Sequence, residues 1–302
     1  MNWPNTYGYG APLINLGKIR NTGFEFAATW RSEIGKLGYE ISGNFATLKN
    51  RVAYIDGNPE SFWSDGSTWR GTISPYRSTV GQPYLSYWLI KTAGIFQSDA
   101  DAVNYVDKGG NRIQPDAKAG DLKFVDQNGD GKIDDEDRVY MGNAFPKVTY
   151  GFTANLTWKR FDFSMFWQGV SGVKLFHAFK ESTMNASEQG YNRWDKILDA
   201  WSPTNTGSNI PIISASDANK NFQTPSDWYL ESGNYLRLKS LIIGYNFPQF
   251  LKNSTLRVYI SCDNLFTITK YSGMDPEVGG MGFDGGQFPV SRVYAAGVKL
   301  TL

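Results

Sequence analysis

The sequence predicts an all-β protein, in which about seven antiparallel strands form the C-terminal arc of a large transmembrane β-barrel with long extracellular loops. Three observations predict this fold class. Several segments alternate apolar and small polar residues with the period of two that is typical of strands. Each segment runs about ten residues, which is the length that a tilted strand needs to cross a bilayer. Short turns and long connecting stretches alternate along the chain, as they do in outer-membrane barrels.

Residues 147–169 carry the clearest alternation. Up to the expected turn at Lys159 and Arg160, one face is apolar and the other is small and polar, and the pattern then restarts. Aromatic residues at the ends fit a transmembrane hairpin. The side chains expected to face lipid include Phe152, Leu156, Phe163 and Met165, and those expected to face the lumen include Thr153, Asn155 and Ser164. A hairpin of a soluble sandwich alternates too, so this segment alone leaves that alternative open.

Seven segments of this kind set the expected order of spanning strands. We predict strands at 22–32, 37–49, 147–158, 161–170, 234–247, 254–263 and 292–302. The long stretches between them are predicted to be extracellular, and they are 50–146, 177–233 and 265–291. A further strand-like segment at 85–96 then falls outside the membrane. Seven strands are fewer than the roughly eight of the smallest bacterial barrel, so we expect the chain to be part of a larger barrel.

The composition limits the classes of function. The net charge of the 302 residues is +1, which gives no argument for a nucleic-acid partner. The 10 Trp, 17 Tyr and 19 Phe fit the aromatic girdles of a barrel, and they also fit loops that stack on sugars. The single Cys262 excludes an internal disulfide and is expected to pack as a small hydrophobe. Because no secretory signal opens the sequence, we expect it to be part of a longer protein.

An acidic loop is the sharpest chemical motif. Oxygen donors recur at positions 1, 3, 5, 9 and 12 of an EF-hand-like spacing, with Gly131 at position 6. The predicted calcium ligands are Asp126, Asn128, Asp130, the backbone carbonyl of Lys132, Asp134 and Asp137. The motif departs from an EF-hand at its last position, where Asp replaces the usual Glu, and its flanks do not read as helices. The alternative is a turn rich in Asp and Asn that binds no metal.

Neither the acidic loop nor any other motif predicts catalysis. His177 is the only histidine, so it excludes triads and metal sites that need several histidines, and we expect an ordinary polar residue at a strand end. The glycine-rich segment 279–286 lacks the strand–helix context of a phosphate loop and is expected to be a flexible external loop. Residues 194–201 are expected to form one short helix. The sequence therefore predicts a protein that is not an enzyme.

These segments together resemble the SusC/RagA family of TonB-dependent outer-membrane transporters of Bacteroidetes. The stretches that carry the resemblance, in family order, are 15–26, 81–87, 91–97, 120–138, 146–169, 235–241, 258–267 and 271–277. They cover nearly the whole chain, which corresponds to about the last third of a family member. Leu302 stands where the family usually ends in an aromatic residue.

The resemblance implies a barrel of about 22 strands, with a plug and N-terminal strands that residues 1–302 do not include. It also implies an outer-membrane location and a SusD-like surface lipoprotein as partner. Oligosaccharides, or peptides, would be imported with energy from the TonB complex, and membrane lipid would contact the apolar face. Segment 120–140 would be a calcium-loop-like external element. The alternative function is a cell-surface binding or adhesion module with a calcium-stabilised loop and no transport.

Overall fold

The computed structural model describes residues 17–56, 62–63, 74–187, 190, 192–251 and 254–301. Strands are the main regular secondary structure in this part of the chain. No helix in these ranges is long and apolar enough to cross a membrane. The predicted end of the last strand at Leu302 lies outside the described residues, as do the first two positions of the stretch 15–26.

Seventeen strands, two short α-helices and four short 3-10 helices lie in the described ranges. The first ten strands are β1 (Gly17–Thr22), β2 (Glu25–Ile34), β3 (Leu37–Thr47), β4 (Lys49–Ile55), β5 (Phe62–Trp63), β6 (Tyr76–Thr79), β7 (Ser86–Ile90), β8 (Thr92–Ile95), β9 (Leu122–Phe124) and β10 (Arg138–Gly142). The others are β11 (Val148–Trp158), β12 (Phe161–Ser171), β13 (Lys174–Phe176), β14 (Leu230–Ser232), β15 (Tyr235–Leu251), β16 (Ser254–Thr269) and β17 (Val293–Thr301). The α-helices are α1 (Asp99–Val103) and α2 (Phe179–Met184).

The seven predicted spanning strands form one antiparallel sheet in the order β17-β16-β15-β12-β11-β3-β2. The predicted fold class is confirmed. Two of the hairpin turns are tight and rely on left-handed backbone, at Gly35 with φ 62° and at Lys159 with φ 55°. The register is unbroken along β3, β11 and their hairpin partners, where Phe152 lies opposite both Gly43 and Trp167.

A bulge explains why the segment 234–247 alternates less regularly than the others. The register between β15 and β12 shifts between Leu238 and Ser240, which leaves Lys239 as an extra residue. On the other side of β15 the register shifts at the same place, and there the extra residue lies on β16. Beyond this point the apolar face changes parity, so Leu238 pairs with Trp167 and continues that face. β16 runs to Thr269, six residues further than predicted, because the strand resumes after the irregular Asn264.

The sheet has two chemically different faces. The register places the predicted lipid-facing side chains on one face, including the pairs Phe152–Trp167, Ala154–Met165 and Leu156–Phe163. Cys262 lies on this face opposite Leu241. The other face carries hydrogen bonds, such as that from Ser164 Oγ to Asn155 Oδ1 at 2.7 Å.

Two ion pairs lie on this polar face. Arg31 pairs with Glu40, and Arg257 pairs with Asp162. The polar and charged side chains on this side pair with one another, as expected for the polar inner wall of a barrel. The apolar side chains of the opposite face are left for lipid.

The long stretches fold into a packed extracellular layer. It contains the four-stranded sheet β10-β7-β6-β5 and the two-stranded sheets β1-β4, β8-β9 and β13-β14. Stacked aromatic rings form its core, in which Phe176 lies between Tyr87 and Tyr229 with ring centroids 6.3 and 5.1 Å away. The strand-like segment 85–96 forms β7 and β8 in this layer, outside the spanning sheet as predicted.

Candidate functional site

The acidic loop connects β9 to β10 in the extracellular layer. A short 3-10 helix, Asp135–Asp137, ends the loop, and no α-helix flanks it on either side, as the sequence predicted. Ile133 packs against a cluster of buried side chains that includes Leu122, Phe124 and Trp201. This contact anchors the loop inward, and the carboxylates of Asp130 and Asp134 lie towards solvent.

Backbone N–H groups curl the loop around its own side chains. The Asp126 carboxylate accepts from Gly129 N at 2.6 Å and from Gly131 N at 2.8 Å. Asn128 Oδ1 accepts from Asp130 N at 3.0 Å, and Asp130 Oδ1 accepts from Lys132 N at 2.9 Å. The left-handed backbone at both glycines, with φ 77° and 87°, makes this tight course possible.

Asp137 closes the loop from inside. Its side chain is fully buried. Oδ1 accepts from Gln127 N at 2.7 Å and from Asn128 N at 3.3 Å, and Oδ2 accepts from Asp134 N at 2.9 Å. Since the two ends of the loop meet on this one carboxylate, its oxygens are already engaged in the structure.

The oxygen donors of the loop are chemically suited to a hard cation. Asp130 keeps one carboxylate oxygen that accepts no hydrogen bond in the described ranges, whereas the Asp134 carboxylate caps the short 3-10 helix that ends the loop. A Cβ at Gly131 would lie 2.8 Å from Oδ2 of Asp107, so a further carboxylate, from outside the acidic motif, lies against the loop. Within the described residues, no three acidic, His or Cys side chains converge as a metal site. Calcium binding therefore stays a prediction.

Glu231 is the centre of a buried polar cluster that joins two extracellular segments. It accepts from Ser272 N at 2.8 Å and from Ser272 Oγ at 2.7 Å, and Lys180 Nζ lies 2.7 Å from its Oε1. His177 lies 3.3 Å from the same oxygen and is fully buried. Burial would raise the pKa of Glu231, but the hydrogen bond from His177 and the Lys180 charge outweigh it and hold the pKa well below its ordinary value.

His177 is therefore more than the ordinary polar residue at a strand end that we expected. It follows β13 directly, and because Glu231 is ionised, its Nδ1–H donates to that carboxylate. The histidine and glutamate are 54 residues apart in sequence. No local sequence pattern predicts a contact between residues so far apart in the chain.

A second buried cluster fixes the segment after β16 to the polar face of the sheet. Arg237 on β15 is 2% exposed. Its Nη2 lies 2.6 Å from Asp275 Oδ1 and its Nη1 lies 2.6 Å from Glu277 Oε2. Lys239, the bulge residue, lies 2.9 Å from the same Glu277 oxygen. The long segment thus folds back over the outer end of the lumen wall.

Part of the glycine-rich segment 279–286 packs against the aromatic core, where we expected a flexible external loop. Phe283 stacks on Phe176 with ring centroids 5.6 Å apart. Asp284 is 3% exposed and accepts from Tyr271 OH at 2.5 Å. Gly282 has φ 79°, and a Cβ there would lie 2.5 Å from Tyr87 OH. Glycine is needed here because the backbone approaches the aromatic core.

The two-faced sheet and its folded extracellular layer define a membrane-embedded arc of an outer-membrane β-barrel. No family model matches the chain. Individual relatives do match it, and they agree with this assignment. TonB-dependent receptor P3 of Formosa agariphila is 27% identical over 317 aligned positions, which cover 98% of this chain and 30% of that protein. TonB-dependent receptor SusC of Bacteroides thetaiotaomicron is 24% identical over 293 positions, covering 95% of this chain and 27% of SusC.

Solved structures show the same fold. The RagAB peptide transporter superposes with a TM-score of 0.77 at 21% identity, over 99% of this chain and 31% of that chain. The closed-closed state of the RagAB peptide importer gives a TM-score of 0.71 at 22% identity. The predicted resemblance to the SusC/RagA type of TonB-dependent receptor is confirmed. So is the outer-membrane location, because TonB-dependent receptors are outer-membrane proteins.

Proposed function

We propose that this chain forms the C-terminal portion of a TonB-dependent transporter that imports nutrients across the outer membrane. The observation that carries the proposal is the polar face of the spanning sheet, because a transporter needs a lumen wall that water and solute can contact. Residues 1–302 would be the last arc of the barrel. The plug and the N-terminal strands would lie in the rest of the protein, since the chain spans about 30% of the length of the relatives it matches.

Oligosaccharides are the proposed cargo, with peptides as the other candidate. The aromatic-rich extracellular layer supports a ligand with apolar faces, and sugars stack on such rings. The matching structures are of a peptide transporter, which keeps peptides in the proposal. The proposed partners are a SusD-like surface lipoprotein and the TonB complex. The lipoprotein would contact the extracellular layer, and TonB would act through segments outside this chain.

We also propose that the acidic loop binds one structural calcium ion. Asp126, Asn128, Asp130, Asp134 and Asp137 would supply oxygens together with the Lys132 carbonyl. The exposed, unbonded oxygen of Asp130 supports this proposal. An ion there would offset the repulsion among the carboxylates and stiffen the turn, with no part in chemistry.

The second candidate function is a surface binding or adhesion module that transports nothing. The packed extracellular layer would suit it equally well. The polar face of the sheet favours transport, because an adhesin has no need of a hydrated lumen.

Uptake by living cells separates the two functions. A strain lacking the complete gene would be complemented with the wild type or with Ser164→Trp, which blocks the polar face, and would be offered fluorescent oligosaccharides and peptides. Transport predicts uptake of one class by the wild type and a loss with Ser164→Trp while surface binding persists. Phe163→Trp, on the neighbouring apolar face, is the matched control. Surface binding without uptake by the wild type would support the adhesion module instead.

A further inference from the structure

Four basic side chains lie together on the outer side of the paired strands β1 and β4, which continue the β2–β3 hairpin beyond the membrane. The pairs Thr22–Lys49 and Arg20–Arg51 keep the register of Glu25–Ala46, so the alternation of faces passes from one strand pair to the other. Lys18 lies on the same side of β1 as Arg20, two residues away. We call Lys18, Arg20, Lys49 and Arg51 the basic face.

Burial confirms which side the basic face is on. On the opposite side of these paired strands, Val52 is fully buried, and Asn50 Nδ2 donates to Asn21 Oδ1 at 2.6 Å. The four basic side chains themselves are exposed. By the same alternation they share their side with the lipid-facing Phe24 and Phe26 of the strand below.

Aromatic rings mark the membrane boundary just beneath the basic face. Phe45 packs on Phe24 and on Phe26, with ring centroids 5.9 and 5.8 Å apart. Arg20 is four residues above Phe24, which is about 13 Å along a strand at roughly 3.3 Å per residue. Such a height places the guanidinium at the level of the lipid headgroups, directly above the acyl chains that the aromatic rings contact.

The charges of the basic face repel one another. Arg20 and Arg51 lie directly opposite on adjacent strands, where like charges destabilise a sheet. A cavity of about 130 Å³ opens between them and is lined by Arg20, Thr22, Lys49 and Arg51. A larger cavity of about 400 Å³ shares Lys49 and Arg51 and adds Lys147. No carboxylate lines either cavity, and none of these cations forms an ion pair, in the part of the chain that the structure describes.

We propose that the basic face is a binding site for the phosphate of an anionic glycolipid in the outer leaflet of the membrane. Two guanidinium groups on facing strands can each present two N–H donors to one phosphate, which would turn their repulsion into a shared attraction. The acyl chains would continue along Phe24 and Phe45. The site rests on the outer-membrane location and is independent of the transported nutrient.

Lipid binding to the complete, detergent-purified receptor tests the proposal. The probe is phosphorylated lipid A, titrated and followed by native mass spectrometry, with dephosphorylated lipid A as the second ligand. Arg20→Gln/Lys49→Gln/Arg51→Gln should bind the phosphorylated probe at least about tenfold more weakly than the wild type. The control Lys36→Gln/Lys108→Gln/Lys118→Gln removes the same charge from exposed positions elsewhere and should bind as the wild type does.

Three results would overturn the site. The triple variant could retain wild-type affinity, the control could lose as much, or the wild type could bind both lipids equally. Inorganic phosphate at the same concentration should not compete, and full competition would make this a site for a free anion instead. If the triple variant does not assemble, Arg51→Gln alone carries the test, with Arg51→Lys expected to restore part of the binding. Nutrient uptake is not the readout, so failure here leaves the proposed transport untouched.

Discussion

Arg237 and Asp275 are 38 residues apart in sequence, yet their side chains meet at 2.6 Å, between Nη2 and Oδ1. The contact ties a spanning strand to the long segment that follows the next strand. Burial alone would raise the pKa of Asp275, but the N–H of Glu277 and the Arg237 guanidinium outweigh it and lower that pKa. The segment is thus held over the lumen wall by charge as well as by packing.

Removing this guanidinium should release the segment. Arg237→Ala leaves Asp275 without its buried cationic partner and Glu277 with Lys239 alone, and the opening free energy of residues 271–277 should fall by about 3–5 kcal/mol. Hydrogen exchange of the complete receptor measures this directly. Arg292→Ala is the control, since that exposed side chain forms no ion pair in the described ranges. Unchanged protection in Arg237→Ala would mean that packing alone holds the segment.

The Glu231 cluster predicts a loss of stability in acid. Because the pKa of Glu231 is depressed in the folded state, its contribution is complete above the unfolded pKa of about 4.3 and is lost as the pH falls below that value. We expect Glu231→Gln to lower the thermal unfolding temperature of the receptor at pH 7, and the difference from wild type to shrink at pH 3.5. The control Asp116→Asn, at an exposed position, should leave the unfolding temperature unchanged at both pH 7 and pH 3.5. A constant difference across this range would contradict the assignment.

The two faces of the sheet should respond differently to charge. Phe152→Arg places a cation against lipid near the middle of β11 and should cost about 2–4 kcal/mol, whereas Thr153→Arg on the lumen side should cost less. Urea unfolding of the complete barrel in lipid vesicles gives both values. Equal costs would show that the faces have been assigned wrongly.

The acidic loop should lose calcium when one exposed carboxylate is removed. Asp130→Ala should abolish binding at about millimolar calcium and leave the spanning sheet intact, because the strands are held by their own ladders. Isothermal titration of the metal-stripped receptor is the measurement, with Asp116→Ala as the charge-matched control. If the wild type gives no more heat than Asp130→Ala, the loop is a turn held by its backbone hydrogen bonds.

The sequence by itself determined the strands of the spanning sheet, their order and their two faces. This was possible because the period of two involves only neighbouring residues. The apolar face of a strand such as β11 can therefore be identified from that strand alone. The same holds for the acidic loop, in which Asp126 and Gly131 contact each other five residues apart. The spacing of its residues was therefore enough to predict the local conformation of the loop. It was not enough to decide whether the loop binds a metal.

Only the tertiary structure decided the long-range polar contacts and the bulge. His177 and Ser272 meet across 95 residues, and Arg237 meets Glu277 across 40. Such partners share no periodic signal, because each contact depends on how the chain between them folds back. The position of the bulge at Lys239 also required the tertiary structure. A bulge is defined by how β15 pairs with the neighbouring strand β12, and the sequence of β15 does not show that pairing. The basic face likewise emerged only when pairing brought Arg20 opposite Arg51.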